Sequence, residues 1–193
     1  MRPQPLPSAA QALYWATLAV WLAAEFRQSR RRRGEAVEQD AGSRSVIRVT
    51  VFAAIFVSSY VSNLSWGRIE APRIDLFAVG IVLTWTGIAL RLWAFQTLGR
   101  YFTFTVMTST DQPVVSGGPY RVLRHPSYAG ALLAVIGIGF IQGSWLSVVA
   151  ITAITAVGMV NRIRVEERAL FASLGEPYRV YAVGRKRLVP FVW

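Results

Sequence analysis

Two stretches hold most of the side chains in this chain that are able to do chemistry. The first is Gly117-Gly118-Pro119-Tyr120-Arg121-Val122-Leu123-Arg124-His125-Pro126-Ser127-Tyr128. Paired glycines permit tight turns and a close approach of backbone to a ligand. Pro126 suits a first helical position, so a helix is expected to begin there with His125 at its N-terminus. Unpaired backbone N–H groups at such a terminus, beside Arg124, attract an anion such as a ligand carboxylate. The same residues also read as a plain membrane-flanking turn, with an arginine and a tyrosine at headgroup level.

The second stretch is Asn161-Arg162-Ile163-Arg164-Val165-Glu166-Glu167-Arg168-Ala169-Leu170-Phe171. At helical spacing Ile163, Glu167, Leu170 and Leu174 share one stripe. Glu167 therefore interrupts an apolar face, where a carboxylate is costly unless it meets a partner. A ligand ammonium, a ribose hydroxyl or an internal Arg164 would serve. Glu166 points about 100° away and follows Arg162 by one helical turn, so a solvated ion pair is expected to satisfy it. On that phase, Glu167→Gln should cost more ligand affinity than Glu166→Gln. A third stretch, Gly175-Glu176-Pro177-Tyr178-Arg179-Val180-Tyr181 with Arg187-Leu188-Val189-Pro190-Phe191, mixes aromatics and arginines in the manner of an interfacial belt.

Other chemistries are closed to this composition. There is no cysteine and His125 is the one histidine, which excludes disulfides, thiolate chemistry and a multi-histidine metal site. The formal net charge is +11. In a soluble protein this would suggest nucleic acid. With 53% hydrophobic residues and a mean hydropathy of +0.38, the better reading is membrane topology and anionic lipid, with no nucleic-acid partner.

The elements that must position these side chains are apolar runs near the length of a bilayer crossing. The first spans Ala9 to Phe26; Arg27 and Arg30 to Arg33 follow at once and oppose translocation, which argues against a cleaved signal peptide. A second run covers Val46 to Leu64 and a third Leu76 to Phe95, the latter with Arg91 near its end, snorkelling or facing a polar cavity. A long mixed loop, Gln96 to Ser127, precedes an apolar stretch from Tyr128 to Val160 broken only by Gln142-Gly143-Ser144. That stretch reads as a tight helical hairpin, followed by a basic amphipathic tail. The expected fold is all-α and polytopic, with about five transmembrane helices. It divides into an N-terminal two-helix region, residues 1–74, and a C-terminal core, residues 75–193.

The order Leu98-Gly99-Arg100-Tyr101-Phe102, Gly118-Pro119-Tyr120, Arg124-His125-Pro126-Ser127-Tyr128-Ala129-Gly130, Glu166-Glu167, Tyr178 with Tyr181, and Arg187-Leu188-Val189-Pro190 resembles the isoprenylcysteine carboxyl methyltransferase family. Phospholipid methyltransferases are similar across the same region, roughly residues 75–193. The resemblance implies a helical membrane methyltransferase whose C-terminal half encloses S-adenosylmethionine (SAM) on the cytosolic side. A lipophilic or lipidated acceptor would enter from the bilayer. It implies cofactor contacts at Tyr120, Arg124, His125, Tyr128, Glu166 and Glu167. Many members carry a histidine where this chain has Gln112, so any cofactor contact made there is absent or made differently here.

A methyl transfer from SAM needs position and electrostatics more than acid–base chemistry. A carboxylate acceptor is already anionic and needs a cation to hold it, for which Arg91 and Arg164 are the catalytic candidates. An amine acceptor ordinarily titrates near pH ~10, so it is mostly protonated at neutral pH and would need a proton acceptor. That favours carboxylate or thiolate acceptors over amines; the resemblance implies carboxyl O-methylation of isoprenylcysteine-type substrates, with phospholipid amine or thiol methylation as the alternative. Two rivals stand beside it: an NADPH-dependent membrane sterol-type reductase, and a membrane scaffold subunit that binds no cofactor.

The topology is open to direct test. Seventeen basic residues fall in three regions: Arg27, Arg30 to Arg33, Arg44 and Arg48; Arg100, Arg121 and Arg124; and Arg162, Arg164, Arg168, Arg179, Arg185, Lys186 and Arg187. Only Arg2, Arg68 and Arg73 fall on the other side. The positive-inside rule then places the N-terminus out and the C-terminus in the cytoplasm, in a multi-pass protein of the cell membrane. Reporter fusions at Arg31 and at the C-terminus should both read cytoplasmic; an exported reporter at either position breaks this topology.

Overall fold

The structure, a computed structural model, describes residues 6–29, 37–38, 43–99, 107–108, 114–190 and 192–193. Among the described residues, five α-helices make up the framework: α1 (Ser8–Ser29), α2 (Ser43–Val61), α3 (Arg73–Leu98), α4 (Pro126–Gln142) and α5 (Trp145–Ala182). Each apolar run of the sequence became a helix. Arg2, Arg30 to Arg33, Arg100 and Gln112 lie outside the described residues.

By length and composition α3 and α5 are able to cross a membrane, while Ser45–Val61 and α4 are shorter apolar helices. Many large apolar side chains point away from the protein, among them Trp15, Leu22, Phe52, Phe56, Val79, Val82 and Trp93. In water such a surface would drive association; against lipid chains it is a matched solvent. The fold is that of an integral membrane protein.

The expected hairpin is present. α4 closes on Gly143, whose φ of 72° lies in the left-handed region that favours glycine, and Ser144 caps the start of α5. The turn is held by its neighbours: Ser144 donates to the Gly67 carbonyl at 3.0 Å, and Ser147 donates to the Ser58 carbonyl at 2.9 Å. Such bonds matter at membrane depth because lipid offers the backbone no substitute partner.

α3 and α4 approach to backbone contact. Gly80 and Gly87 on one helix face Gly130 and Gly137 on the other, and Thr84 donates to Gly80 and Ala134 carbonyls at 2.7 and 3.3 Å. A Cβ on Gly130 would sit 2.5 Å from the Gly87 carbonyl oxygen and 2.8 Å from the Arg91 amide. Helices in lipid gain little from apolar burial, so small residues that admit close backbone approach supply the association. α2 lies along α5, with Ala54, Val135, Ile138 and Ile151 forming a buried cluster that joins α2, α4 and α5. α1 rests on α3 through Trp85, which donates to Thr17 at 3.1 Å, and through an ion pair between Glu25 and Arg91.

One element was not anticipated. Val37–Glu38 pairs antiparallel with Met107–Thr108, tying the chain after α1 to the long loop after α3. α5 also runs well past the apolar stretch that ends at Val160, with a break at Gly175 (φ 54°) and Pro177 just after it. The helix that carries Glu166 and Glu167 is therefore continuous with the hairpin arm, and no phase is lost before Asn161.

The α3–α4 seam yields a stability prediction. Gly87→Val places its Cβ against the Gly130 carbonyl and the Ala134 amide, both backbone atoms that cannot rotate away. Overpacking costs about 1–3 kcal/mol, so the detergent-solubilised variant should melt lower than the wild type. Gly117→Ala, with nothing within 4 Å of the added carbon, should melt unchanged.

Candidate functional site

The Glu167 carboxylate is the centre of the polar cluster. Its residue is 4% exposed, on the inward face of α5 with Ile163 fully buried one turn before it. Three groups from outside α5 converge on it. Arg124 Nη1 lies 2.8 Å from one oxygen, with His125 Nε2 3.4 Å from the same oxygen, and Arg187 Nε donates to the other at 2.7 Å. The carboxylate in the apolar stripe thus has its counter-charge, and it comes from Arg124 and Arg187. Arg164, the expected internal partner and a candidate cation for the acceptor, is exposed.

The loop bearing Arg124 and His125 is fixed from below and above. Gly118 has φ 52° and Thr97 Oγ1 would lie 2.8 Å from an added Cβ, so the Gly118–Arg121 turn of 3₁₀ helix needs glycine at its start. The C-terminal segment runs beside this loop: the Arg124 amide donates to the Lys186 carbonyl at 2.8 Å and the His125 amide to the Arg187 carbonyl at 3.0 Å. Pro126 is the first residue of α4 and His125 its N-cap, as the sequence predicts. The first-turn amides are less open than expected, because those of Tyr128 and Ala129 both donate to the His125 carbonyl.

A further set of contacts involves Glu166, and it corrects the sequence reading. Glu166 does not face solvent as the partner of an external Arg162. Its side chain is 30% exposed and accepts from the Tyr128 hydroxyl at 2.9 Å, with His125 Nδ1 3.9 Å away. Arg162 is buried at 3% exposure and its Nε donates to the same Tyr128 hydroxyl at 3.3 Å. The signal for this was present: Met159 and Val165, one turn either side of Arg162, are apolar and buried.

Tyr178 and Tyr181 also depart from expectation. They are not an interfacial belt but buried members of an aromatic cluster with Tyr120 and Ala94, lined by Leu170, Phe171 and Leu174. The Tyr181 hydroxyl donates to the Tyr120 carbonyl at 3.0 Å, tying the helix end to the 3₁₀ turn. Burial and the nearby Glu166 push the Tyr120 phenol well above its ordinary range, so it stays protonated at neutral pH. The Tyr178 hydroxyl and Arg124 Nε at this locus are buried with no hydrogen-bond partner, as are Arg185 Nε and, elsewhere among the described residues, side-chain atoms of Gln28, Arg73, Gln142, Thr152 and Thr155. Unsatisfied buried donors are uncommon and call for a ligand acceptor or an ordered water.

The structure therefore gathers Tyr120, Arg124, His125, Tyr128, Glu166 and Glu167 around one locus, adds Arg162, Tyr178 and Arg187, and leaves Arg164 outside. Arg187 lies twenty positions from Glu167 in the chain; its signal in the sequence was the Arg187-Leu188-Val189-Pro190 string of the family resemblance, which did not name Glu167 as its partner. Arg91 lies buried against Glu25 and the start of α4, neither snorkelling to an interface nor carrying its charge without a carboxylate.

Known proteins are similar to this chain in sequence and in fold. The phospholipid methyltransferase family profile matches residues 76–176. A protein of Oryza sativa subsp. indica named "Probable protein-S-isoprenylcysteine O-methyltransferase" is 32% identical over 157 residues, covering 75% of this chain and 82% of the rice protein. Protein-S-isoprenylcysteine O-methyltransferase A of Arabidopsis thaliana is 32% identical over 115 residues, 58% of each chain. A solved structure, described as the eukaryotic intramembrane Ras methyltransferase ICMT (isoprenylcysteine carboxyl methyltransferase), superposes with a TM-score of 0.59 at 24% identity. That alignment covers 95% of this chain and 64% of the solved one, and at this identity it speaks to the fold.

The two carboxylates should separate on mutation. Glu167→Gln leaves Arg124 and Arg187 without their counter-ion, and breaking a buried pair by removing one partner costs about 3–5 kcal/mol; the thermal midpoint should fall sharply. Glu166→Gln keeps an acceptor for the Tyr128 hydroxyl on a half-buried side chain, so its midpoint should shift by less than about 1 kcal/mol in equivalent stability. Equal thermal losses for the two variants would contradict this division.

Proposed function

The chain belongs to the phospholipid methyltransferase family and is a membrane methyltransferase, and on that premise we propose that it transfers a methyl group from SAM to the carboxylate of a lipophilic, isoprenylcysteine-type acceptor. The observation that carries this reading is the locus itself. A half-buried carboxylate, Glu166, stands beside two buried donors that lack an acceptor, Tyr178 and Arg124 Nε. Such a set fits an amino-acid moiety, whose ammonium would meet Glu166 and whose carboxylate would meet donors near Arg124.

SAM supplies an electrophilic methyl group on a sulfonium. The residues of this chain then have three tasks. Tyr120, Arg124, His125, Tyr128 and Glu166 bind and orient the cofactor. Glu167, saturated by Arg124, His125 and Arg187, holds that loop in place. Arg162, buried and next to Tyr128 and Glu166, is better placed than Arg164 to hold the acceptor carboxylate. No general base is needed for an acceptor already anionic, and Tyr120, kept protonated, offers none. An amine acceptor would have to lose a proton first.

The surrounding organisation belongs to the same proposal. The family match begins at residue 76, in agreement with a methyltransferase core over 75–193 behind a two-helix N-terminal region. Five crossings with a cytoplasmic C-terminus put the locus on the cytosolic side, where SAM is found, and leave the lipid-facing helices for entry of the acceptor.

Calorimetric titration of the detergent-purified protein should show one S-adenosylhomocysteine bound per chain and no NADPH. Glu166→Gln should weaken that binding about ten- to a hundredfold, the worth of a charge-assisted hydrogen bond; helix phase alone assigned that ligand contact to Glu167, whose carboxylate is instead taken up by Arg124, His125 and Arg187. Given both acceptors, the enzyme should methylate a farnesylated cysteine derivative and not phosphatidylethanolamine. Binding of NADPH in place of S-adenosylhomocysteine overturns the reading in favour of a reductase, and binding of neither favours a scaffold.

A further inference from the structure

Arg91 is 8% exposed near the end of α3, and its guanidinium serves two other helices at once. Nε and Nη2 grip the Glu25 carboxylate of α1 in a forked pair, with Nη2 donating at 3.0 Å. Nη1 donates to the carbonyl of Ser127 in the first turn of α4 at 2.9 Å. Glu25 is itself aimed by Trp21, which donates to it at 3.0 Å, and Arg91 lies over the Phe95 ring. Ser127 stands between His125 and Tyr128, two residues of the candidate site. The next turn of α4 is pressed on the same place, since Gly130 abuts the Arg91 backbone.

An arginine fork is rigid, and three of its donors are committed in fixed directions. A charge so placed within an apolar bundle is stable only when paired. Glu25 supplies that pairing from a helix outside the region matched by the family profile, residues 76–176. We propose that the Glu25–Arg91 pair is a positioning device that sets the first turn of α4, and with it His125 and Tyr128, in the orientation that binds the cofactor. The inference rests on the proposed SAM site, and it gives α1 a part in a site to which it contributes no contacting residue. Neither Glu25 nor Arg91 touches the ligand; both act through Ser127.

Two variants test it with S-adenosylhomocysteine as the probe and thermal melting alongside. Arg91→Lys keeps the positive charge opposite Glu25 but replaces the fork with a single ammonium, which cannot hold Glu25 at two points and Ser127 as well. Glu25→Gln with Arg91→Met removes both charges, so neither is left uncompensated in the bilayer. Both should melt within a few degrees of the wild type yet bind S-adenosylhomocysteine about tenfold more weakly, with Glu25→Asp recovering most of the affinity. Wild-type affinity in a folded Arg91→Lys or double variant overturns the proposal, and so does a loss of affinity that merely tracks a loss of melting temperature. Failure of the wild type to bind S-adenosylhomocysteine is a separate result: it removes the cofactor site itself.

Discussion

One buried negative charge organises the end of this protein that carries the candidate site. A carboxylate at the position of Glu167, 4% exposed, is tolerable only among cations. Those cations come from two places remote in sequence, the turn before α4 and the segment after α5. Satisfying Glu167 therefore draws Arg124 and Arg187 to the same point, and the amides of Arg124 and His125 meet the carbonyls of Lys186 and Arg187 as a result. The aromatic cluster of Tyr120, Tyr178 and Tyr181 fills the space beside this junction. Remove the charge and the backbone pairing of loop and tail and the Tyr181–Tyr120 bond remain, but Arg124 and Arg187 lose what draws them to one point.

Much of this was legible in the sequence because two periodicities are unambiguous. Apolar runs bounded by arginines gave all five helices, and Pro126 and Gly143 marked two boundaries by their backbone requirements. The inward phase of Glu167 followed from a stripe with Ile163 and Leu170. What escaped was long-range. Arg162 and Glu166 are ideally spaced for an i, i+4 pair on a solvated face, and the local rule took no account of Tyr128 arriving from α4. Tyr178 and Tyr181 have the composition of a headgroup belt, and only the break at Gly175 folds them back into the protein. The short pairing of Val37–Glu38 with Met107–Thr108 joins two loops whose residues carry no strand pattern.

The bundle uses a different principle at membrane depth from the one that rules the site. α3 and α4 are joined by glycines and threonine hydroxyls at backbone distance, with little dependence on side-chain volume. α2 and α5 combine Ala54 and Ile151 in side-chain contact with the Ser147 hydroxyl on the Ser58 carbonyl and Gly158 against Thr50. The first kind of seam is intolerant of any added atom and so fixes the relative height of α3 and α4. That in turn fixes Arg91 opposite Ser127, a register no loop in the long connection between them would need to impose.

The break at Gly175 has a mechanical meaning. A continuous helix transmits torque: rotating α5 about its axis by one residue would swing Glu166 and Glu167 and everything beyond them together. Because the backbone turns at Gly175, Tyr178 and Tyr181 sit on a separate short lever whose direction is set by contacts to the 3₁₀ turn. The joint lets the two segments point in different directions, while Phe171, one turn after Glu167, still packs on Tyr178 and keeps the aromatic wall in register with the carboxylate face.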